Sequence, residues 1–334
     1  MKVAVVGATG VVGAALLQIL QERELPIERV AAFASSEKPE GVSFNGTTLP
    51  VHAVSAERLA EFDAVFFASG EDQSATYAPA IARRGGIVID NSATFRLQPD
   101  VPLVVPEING ETIEAHHRIF PVANCTAIVL CVALAPVREH AGLRAVQVAT
   151  YQSVSGAGRA GLQELADGEA AVVGEYPEPR PAVFGAPIVR NVVPFVGTAA
   201  HDGYTSEETK VREETRKILN QPELRIAVTA VRVPVRYAHS EAVFFETEGT
   251  TSVAELSRAF ETAAGVAYHA EGIVTPREVE GQDQVHVARL RAQDDSGTRF
   301  AMWVVGDQVR KGAATNGVQI LELLLKRGWA GAAK

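Results

Sequence analysis

One cysteine lies where an apolar segment is interrupted by polar residues. In FPVANCTAIVL, Phe120–Leu130, the polar residues Asn124, Cys125 and Thr126 break an otherwise apolar run. The residues that follow Cys125 predict a helix, so this thiol would lie at a helix N-terminus. There the helix dipole lowers the pKa of a thiol, and backbone N–H groups can stabilise a developing oxyanion. Composition alone leaves Cys125 open to interpretation as a nucleophile or as a small buried residue.

The second cysteine and the histidines bear on that choice. Cys131 lies inside the apolar run, which favours core packing. A catalytic thiol needs an acid or base, and the chain contains 8 histidines. His239, in RVPVRYAHSEAV, follows a predicted strand and lies close in sequence to Glu241. It is the histidine that we consider for catalysis, although a purely structural histidine fits the same pattern.

A glycine-rich turn near the start of the chain is typical of phosphate binding. The segment GATGVVG places Gly7, Gly10 and Gly13 between a predicted strand and a predicted helix, with GxxGxxG rather than GxGxxG spacing. Glycines there let a pyrophosphate approach the backbone, and the helix N-terminus holds its negative charge. We therefore predict a dinucleotide site whose loop residues are Gly7, Thr9, Gly10, Val11, Val12 and Gly13.

The residues after the second predicted strand bear on the choice between NADP and NAD. An NAD site usually has an Asp or Glu here for the ribose hydroxyls, whereas this chain reads ASSEK. Ser35 and Ser36 could bind a 2′-phosphate and Lys38 could neutralise it, while Glu37 would repel it. We predict NADP, and NAD is the alternative because of Glu37.

The elements that would position these residues fall into two groups. In the first half, strands are predicted at Lys2–Val6, Val30–Ala34, Ala64–Ala68 and Ile87–Ile89, and helices at Val11–Leu20 and Ala78–Arg84. Strands that alternate with helices predict a parallel sheet, which binds ligands beyond the carboxyl ends of its strands.

The second half has longer strands that are richer in β-branched residues. They are predicted at Ala145–Thr150, Ile226–Val235, Glu241–Thr247, Val285–Leu290 and Phe300–Val305, with helices at Ala160–Glu169, Ser206–Leu219 and Val253–Ala264. This pattern predicts an open, largely antiparallel sheet. We place the boundary near Pro121 and expect a last helix, Ala313–Lys326, to return to the first domain.

Composition excludes several classes of function. The 334 residues, 47% of them hydrophobic, are enough for two domains or one large α/β unit, and the net charge of -9 disfavours binding to nucleic acid or an anionic membrane. Two cysteines cannot form a disulfide framework, and no secretion signal or membrane-spanning run is evident. We expect a cytoplasmic protein. No cluster has metal-ligand spacing, so we expect no metal site.

A series of short motifs follows in order along nearly the whole chain. They are VVGATGVVG at the start, DNSATFR (Asp90–Arg96), VPEIN (Val105–Asn109), NCTAI around Cys125, YQSVSGAG (Tyr151–Gly158), EETK (Glu207–Lys210), RVPVRYAHSE (Arg232–Glu241) and VRKGAATNGVQI (Val309–Ile320). In this combination the chain resembles the aspartate-β-semialdehyde dehydrogenase family. Any one motif alone would be weak evidence.

The resemblance implies an α/β fold similar to that of glyceraldehyde-3-phosphate dehydrogenase. Residues 1–122, with a C-terminal helix within 308–330, would form a Rossmann-type dinucleotide-binding domain with a parallel sheet. Residues 123–307 would form an α+β catalytic and dimerisation domain. The expected assembly is a homodimer or a dimer of dimers.

The resemblance also implies roles for individual residues. Cys125 would be the thiolate nucleophile, His239 the acid/base, and Gln152 would orient the reacting groups. The substrate would be bound through its carboxylate by Arg232, through its amine by Glu207, and through its phosphate by Arg96, Lys210 and Asn124. The residues implied towards the nicotinamide are Ser155, Gly156, Gly158 and Asn316.

The reaction implied is the NADPH-dependent reductive dephosphorylation of L-4-aspartyl phosphate to L-aspartate 4-semialdehyde through a cysteine thioester. It would serve lysine, threonine, methionine and diaminopimelate biosynthesis. One alternative is N-acetyl-γ-glutamyl-phosphate reductase, which shares the fold, but an N-acetyl group would not need the carboxylate of Glu207. Another is a non-catalytic paralogue, which would be expected to lack Cys125 or His239.

The sequence departs from the family pattern at a few positions. Glu37 stands where the family usually has an arginine for the 2′-phosphate, which bears on cofactor preference. Ala123 replaces a common proline, and Gly317 replaces the usual alanine. The proline-rich stretch Glu175–Ala186 is predicted to be irregular, and we expect it to form an interface.

Overall fold

The computed structural model describes residues 1–330, and the chain divides into two compact units. Unit 1 consists of Met1–Asn124 together with the segment that begins at Ala313, and unit 2 consists of Cys125–Gly312. The chain therefore leaves unit 1 immediately before Cys125 and returns to it immediately after Gly312. Each unit contains its own sheet.

Unit 1, over its described residues, is built on one seven-stranded sheet. Its strands are β1 (Lys2–Val6), β2 (Arg29–Ala34), β3 (Lys38–Phe44), β4 (Thr47–Ala53), β5 (Ala64–Phe67), β6 (Ile87–Asp90) and β7 (Ile119–Pro121). Its helices, numbered in chain order, are α1 (Val11–Glu22), α2 (Ala56–Leu59), α3 (Glu71–Arg83), α4 (Pro106–Asn109) and α10 (Thr315–Lys326). The strand order is β3-β4-β2-β1-β5-β6-β7, and α10 packs against α1, α4 and β6.

The parallel sheet predicted for the first half is confirmed. Every neighbouring pair is parallel except β3 with β4 at one edge. Strand β1 is almost wholly buried because helices cover both faces of such a sheet. Helix α1 buries Gly13, Leu16, Leu17 and Leu20, which recur at helical spacing and lie on one face.

Two predictions for unit 1 were incomplete. The hairpin β3–β4 was missed because nearly all of its residues are at least partly exposed, and Pro39 and Pro50 interrupt its short apolar alternation. The turn signal was present, since Asn45 and Gly46 adopt the positive φ values, 48° and 72°, typical of a hairpin turn. Helix α3 begins at Glu71 rather than Ala78, because its first turn is acidic, which suits the helix dipole and hides the apolar period.

Unit 2 is built on a six-stranded mixed sheet. Its strands are β8 (Ala145–Gln152), β9 (Arg225–Arg232), β10 (His239–Glu246), β11 (Val266–His269), β12 (Val285–Ala292) and β13 (Arg299–Gly306). Its helices are α5 (Cys125–Ala141), α6 (Gly158–Gly174), α7 (Ser206–Ile218), α8 (Val253–Thr262) and α9 (Pro276–Val279). The order is β11-β12-β13-β10-β8-β9.

The sheet of unit 2 is less antiparallel than predicted. Strand β8 pairs in parallel with β9, and β11 in parallel with β12, while the three remaining pairs are antiparallel. Strand β9 ends at Arg232 instead of Val235, since Pro234 has no N–H to continue a ladder. Helices α5 and α7 pack on one face, so alternate residues of β8 and β9 are buried and the others face outward.

No helix among residues 1–330 combines the length and the apolar character that crossing a membrane requires.

Candidate active site

The register of three strands gathers the polar residues of unit 2 at one end of its sheet. Strand β8 runs parallel to β9, and this places Gln152 opposite Arg232. Strand β10 pairs with β8 up to Ser240 and Tyr151, so His239 and Gln152 follow as neighbours at the end of that pairing. Because side chains alternate along a strand, these three functional side chains lie on the same helix-covered face.

Cys125 is the first residue of α5 and meets this row of residues. Its Sγ lies 3.7 Å from Nε2 of His239, although the two residues are 114 positions apart in sequence. The thiol is half-buried. A Cβ at position 312 would lie 3.0 Å from Cys125 Cβ, so Gly312 is the residue that lets the returning chain pass this close to the nucleophile. Gly312 was not among the predicted site residues.

The hydrogen bonds of His239 define which ring nitrogen carries a proton. The backbone N–H of Ser153 donates to Nδ1 at 3.1 Å, and the Ser153 hydroxyl lies 3.0 Å from the same atom. Since an N–H can only donate, Nδ1 is an acceptor, and the single proton of the neutral ring is on Nε2, facing Cys125. Burial, followed by the positive charge of Arg232, holds the pKa of His239 well below its ordinary value. His239 is therefore a neutral hydrogen-bond donor towards the sulfur.

Three further polar residues form a chain of hydrogen bonds behind the histidine. The Ser153 hydroxyl lies 3.2 Å from that of Ser155, and the amide of Gln308 donates to Ser155 Oγ. All three side chains are buried. Ser155 was predicted to bind the cofactor, and the structure places it in this network. Ser153 and Gln308 were missed, although YQSVSGAG shows two serines with the spacing of a single turn.

Gln152 ties the strand to two helices. Its amide Nε2 donates to Thr126 Oγ1 at 2.7 Å, on α5, and to the carboxylate of Glu207 at 3.2 Å, on α7. The Thr205 side chain caps the start of α7 in a capping box, which fixes the first turn that carries Glu207. Lys210 follows one turn later and is half-buried. Thr126 is one of the three polar residues that interrupt the apolar run at Cys125, but it was not predicted as a partner of Gln152.

Arg232 is a buried cation beside the nucleophile. Its side chain is 7% exposed, and Nη1 donates to the carbonyl oxygen of Ser153 at 2.6 Å. Burial lowers the pKa of the guanidinium, and the negative charges of Glu207 and Cys125 partly offset that shift. The guanidinium stays charged at any pH at which the protein folds. It supplies positive charge close to both Cys125 and His239.

Gly156 lies between the two key side chains, and we expect Gly156→Ala to damage the site. A Cβ there would lie 2.7 Å from Arg232 Nη1 and 3.3 Å from His239 Cε1. Because Arg232 is held by Ser153, it cannot yield freely, and a displaced catalytic group costs on the order of 100-fold in rate. We expect kcat/KM to fall about 100-fold while the melting temperature changes little.

Steady-state kinetics and thermal melting of Gly156→Ala and Gly158→Ala check this expectation. Position 158 has open space for a Cβ, although its φ of 71° makes a substitution strained. A loss in both variants that follows melting temperature would show that the glycines serve only the backbone.

Cys131 and Glu241 are among the other buried titratable groups of unit 2. Burial raises the pKa of the Cys131 thiol far above its usual range, so this cysteine is not nucleophilic, as its place in the apolar run predicted. Burial also raises the pKa of the Glu241 carboxyl well above its ordinary value.

The glycine loop of unit 1 is set by close packing. A Cβ at Gly7, which has a φ of 83°, would overlap the carbonyl oxygen of Ala68, and one at Gly13 would overlap that of Gly7. Gly10 is the N-cap of α1, and among the described residues no side chain caps this helix. Val11 and Val12 begin α1 directly after Thr9. The N–H groups of this first turn suit an anion such as a pyrophosphate.

Ser35 and Ser36 are exposed directly after β2, where a cofactor ribose would be recognised. The next residue, Glu37, has its carboxylate 3.7 Å from Nη1 of Arg58 on α2. Arg58 was missed because it follows the unpredicted hairpin β3–β4. A cation is thus present beside the predicted 2′-phosphate position, but an acidic side chain engages it.

The remaining predicted residues of unit 1 are largely buried. Arg96 is 8% exposed and donates from Nη2 to the Asn91 carbonyl at 2.7 Å, and Asn124 is buried directly before Cys125. Asn316 is fully buried, and its amide donates to the carbonyl of Val104 at 2.9 Å. That contact ties α10 to the segment before α4. Within residues 1–330 no cluster of His, Cys, Asp or Glu side chains could hold a metal ion.

Comparison with known families assigns both parts of the chain. Residues 2–116 match the family model described as "Semialdehyde dehydrogenase, NAD binding domain". Residues 134–311 match the model described as "Semialdehyde dehydrogenase, dimerisation domain". These matches confirm the predicted fold class, a Rossmann-type domain followed by a dimerisation domain.

Relatives of known function match along nearly the full length. An aspartate-semialdehyde dehydrogenase of Aquifex aeolicus is 40% identical over 336 residues, covering 98% of each chain. An aspartate-semialdehyde dehydrogenase 2 of Vibrio cholerae is 41% identical over 331 residues, covering 97% of this chain and 98% of the relative. The crystal structure of aspartate semialdehyde dehydrogenase II from Vibrio cholerae complexed with ASA has a TM-score of 0.92, at 40% identity and with 97% of this chain and 98% of that chain covered. This chain belongs to the aspartate-semialdehyde dehydrogenase family.

Proposed function

We propose that this protein reduces L-4-aspartyl phosphate to L-aspartate 4-semialdehyde with release of phosphate, using NADPH. The observation that carries the proposal is the contact between Cys125 and His239 at the start of α5, next to Arg232 and Glu207. These groups match the substrate, which has an electrophilic acyl phosphate, a carboxylate and an amine. The relatives in Aquifex aeolicus and Vibrio cholerae carry the same activity in their names.

The reaction begins at the sulfur of Cys125. The thiolate attacks the acyl carbon, the C–O bond to phosphate breaks, and a thioester forms on the enzyme. The N-terminus of α5 and the positive charge of Arg232 favour the thiolate. The departing phosphate takes up one proton from solvent, so no side chain has to supply it.

His239 acts as a hydrogen-bond donor in this sequence. Its Nε2–H points at the reacting centre, because Nδ1 is bound to the N–H of Ser153. In each tetrahedral state the developing oxyanion accepts this hydrogen bond. After reduction of the thioester, collapse of the thiohemiacetal oxyanion expels the Cys125 thiolate and releases the aldehyde. We propose this donation from Nε2 in place of the acid/base role that the family resemblance implies for His239.

The other side chains hold the substrate. Arg232 binds its carboxylate, for which a planar guanidinium offers two parallel donors. The carboxylate of Glu207 binds the amine and is held towards the site by Gln152. Arg96, Lys210 and Asn124 bind the phosphoryl group, as their residue types and the family resemblance indicate.

A nicotinamide cofactor fits the residues of unit 1. Gly10 starts α1 without a side-chain cap from the described residues, so the first-turn N–H groups suit a pyrophosphate. When bound, the cofactor supplies the hydride that reduces the thioester. Ser35, Ser36 and Arg58 favour the 2′-phosphate of NADP, and the Glu37 carboxylate favours NAD.

Cofactor preference is expected to shift when the charge of Glu37 is removed. In Glu37→Gln, Arg58 loses its carboxylate partner and becomes available to the 2′-phosphate. Because an exposed ion pair contributes up to about 1 kcal/mol, we expect the NADP/NAD ratio of kcat/KM to rise about twofold to fivefold. Glu40→Gln, an exposed position on β3, is the matched control and is expected to leave the ratio unchanged. An equal ratio in Glu37→Gln and wild type would show that residue 37 does not face the ribose.

A homodimer is supported by the open face of the unit 2 sheet. The face opposite α5 and α7 presents Tyr151 and Phe244, which are 38% and 41% exposed, beside small residues of β8 and β9. An exposed apolar face of this kind is typical of a protein interface, and the family model here is described as a dimerisation domain. Sedimentation of the purified protein separates monomer, dimer and dimer of dimers.

We also propose a cytoplasmic location and a place in amino-acid biosynthesis.

The function is tested by absorbance at the reduced-nicotinamide band. Purified protein is mixed with L-aspartate semialdehyde, phosphate, and either NADP or NAD. Phosphate-dependent reduction of the cofactor is the expected result. A signal only with N-acetylglutamate semialdehyde would assign the protein to N-acetyl-γ-glutamyl-phosphate reductase. Absence of turnover with both substrates would favour a non-catalytic relative.

A further inference from the structure

The proline-rich stretch Glu175–Ala186 continues into a segment that covers part of the active site. Residues 182–193, here called the strap, form neither helix nor strand, apart from a single bridge at Val193. The strap lies in unit 2 and packs along α6. Its side chains Phe184, Ile188 and Val193 share an apolar cluster with Leu165 of that helix.

Helix α6 has a face shaped to receive the strap. Gly161, Leu165 and Gly168 are buried at helical spacing and lie on that face. A Cβ at Gly161 would overlap the carbonyl oxygen of Val154 and would lie 2.9 Å from Cζ of Phe184. A Cβ at Gly168 would lie 3.2 Å from Cγ1 of Val189. The absence of side chains at these two glycines therefore lets the strap approach the helix closely.

One carboxylate of α6 fixes the backbone of the strap next to Phe184. The side chain of Glu164 accepts hydrogen bonds from the N–H groups of Ala182 at 2.7 Å, Val183 at 2.6 Å and Phe184 at 3.4 Å. Charge-assisted bonds of this kind are roughly twice as strong as neutral ones. Glu164 thus holds the backbone of residues 182–184 at one defined position on α6.

The strap contacts Arg232 through both side chain and main chain. The guanidinium carbon of Arg232 lies 5.5 Å from the centroid of the Phe184 ring, within the range of a cation–π contact. Val193 exchanges two backbone hydrogen bonds with Arg232, at 2.8 and 2.9 Å. Together with the bond from Nη1 to Ser153, these contacts restrict the plane of the guanidinium.

We propose that the strap positions Arg232 for recognition of the substrate carboxylate, with Phe184 as the positioning residue and Glu164 as its anchor. The inference rests on the proposed role of Arg232. A bidentate hydrogen bond to a carboxylate needs the guanidinium fork at a fixed angle. The Phe184 ring provides that constraint because it covers one face of the Arg232 guanidinium. The N–H groups along the edge of the guanidinium are the donors for the substrate carboxylate.

A double-mutant cycle tests this proposal. KM for L-aspartate semialdehyde, KM for phosphate and kcat are measured for wild type, Phe184→Leu, Arg232→Lys and the double variant. We expect Phe184→Leu to raise KM for the semialdehyde about tenfold, since a desolvated cation–π contact contributes about 1 to 2 kcal/mol. KM for phosphate and kcat should stay within about twofold. In the Arg232→Lys background the Phe184→Leu change should have no further effect, because Phe184 acts through Arg232.

Matched controls separate positioning from folding. Phe195→Leu makes the same change at an exposed position of the same unit and should leave both KM values unchanged. Glu164→Gln should raise KM for the semialdehyde about threefold, whereas Glu169→Gln, exposed on the same helix, should not. Melting temperatures are recorded for every variant.

Several outcomes would overturn the inference. These are an unchanged KM in Phe184→Leu, an equal rise in both KM values, or the same factor in both Arg232 backgrounds. A KM for the semialdehyde that Arg232→Lys leaves unchanged would instead remove the proposed role of Arg232. No turnover of the semialdehyde by wild type would remove the proposed function itself.

Discussion

Cys125→Ser is expected to abolish turnover while the fold is retained. A serine hydroxyl is a far weaker nucleophile than a thiolate and needs a base to remove its proton. In the proposed mechanism His239 does not act as that base, because its Nε2 carries the ring proton and its Nδ1 accepts the N–H of Ser153. Positive charge and the α5 N-terminus, which favour a thiolate, do little for an alcohol. We expect kcat to fall by at least about 10⁴-fold.

The measurement is phosphate-dependent cofactor reduction with L-aspartate semialdehyde, with circular dichroism as the check on folding. Cys131→Ala is the matched control, since this cysteine is fully buried in the core, and it should keep kcat within about twofold. Iodoacetamide should inactivate wild type with one carbamidomethyl group on Cys125. A Cys125→Ser variant that keeps a tenth of the wild-type kcat would remove the covalent mechanism.

The strands that position the site were predictable because their residues are buried on one or both faces. Strand β1 was placed without error, since a continuous apolar run has few alternatives to a buried strand. The hairpin β3–β4 was not predicted, because its apolar alternation is short and is interrupted by Pro39 and Pro50. Arg58, on the helix after this hairpin, was missed with it. The hairpin and Arg58, near the predicted cofactor site of unit 1, were therefore missed because the strands of this hairpin are largely exposed.

The contact between Cys125 and His239 could not be derived from spacing. The residues are 114 positions apart, and only the pairing of β10 with β8 and the start of α5 bring them together. The family resemblance named both residues because it records such contacts as motifs. It assigned no role to Ser153, which contacts Nδ1 through its hydroxyl and through a backbone N–H that any residue type except proline would supply.

The proline-rich stretch shows the same limit. It was expected to form an interface, and its sequence contains no helical or strand period. Its contacts within unit 2 depend on Glu164 and on two glycines of α6, Gly161 and Gly168. In the sequence, Glu164 looks like any exposed acidic residue, and glycines inside a helix indicate only lower helix stability. The structure shows that these residues of α6 together form the surface that contacts the strap at Phe184.

Replacement of His239 separates donation of a hydrogen bond from removal of a proton. In His239→Asn the amide occupies the place of Nδ1 and can still accept the Ser153 N–H, but no group reaches the place of Nε2. In His239→Gln a longer amide presents an N–H near that place. If His239 acts as a donor, Asn should lower kcat about 10²- to 10³-fold and Gln distinctly less, since a lost oxyanion donor costs about that factor.

The pH profile gives an independent reading of the same group. The pKa of His239 is held well below 6.5 by burial and by Arg232, so the neutral ring persists as the pH falls through that value. The kcat of wild type should therefore show no break near pH 6.5 from this residue. The unfolded chain does take up a proton there, so the free energy of unfolding should fall as the pH drops below 6.5.

Stopped-flow measurement of turnover from pH 6 to 8 gives kcat and its pH profile for wild type, His239→Asn and His239→Gln. Equal losses in the two variants, together with a break in kcat near pH 6.5 in wild type, would show that His239 gains and loses a proton during turnover. Retained activity in Gln and a flat profile would instead mean that the Ser153 N–H, by occupying Nδ1, fixes His239 as the oxyanion donor of this enzyme.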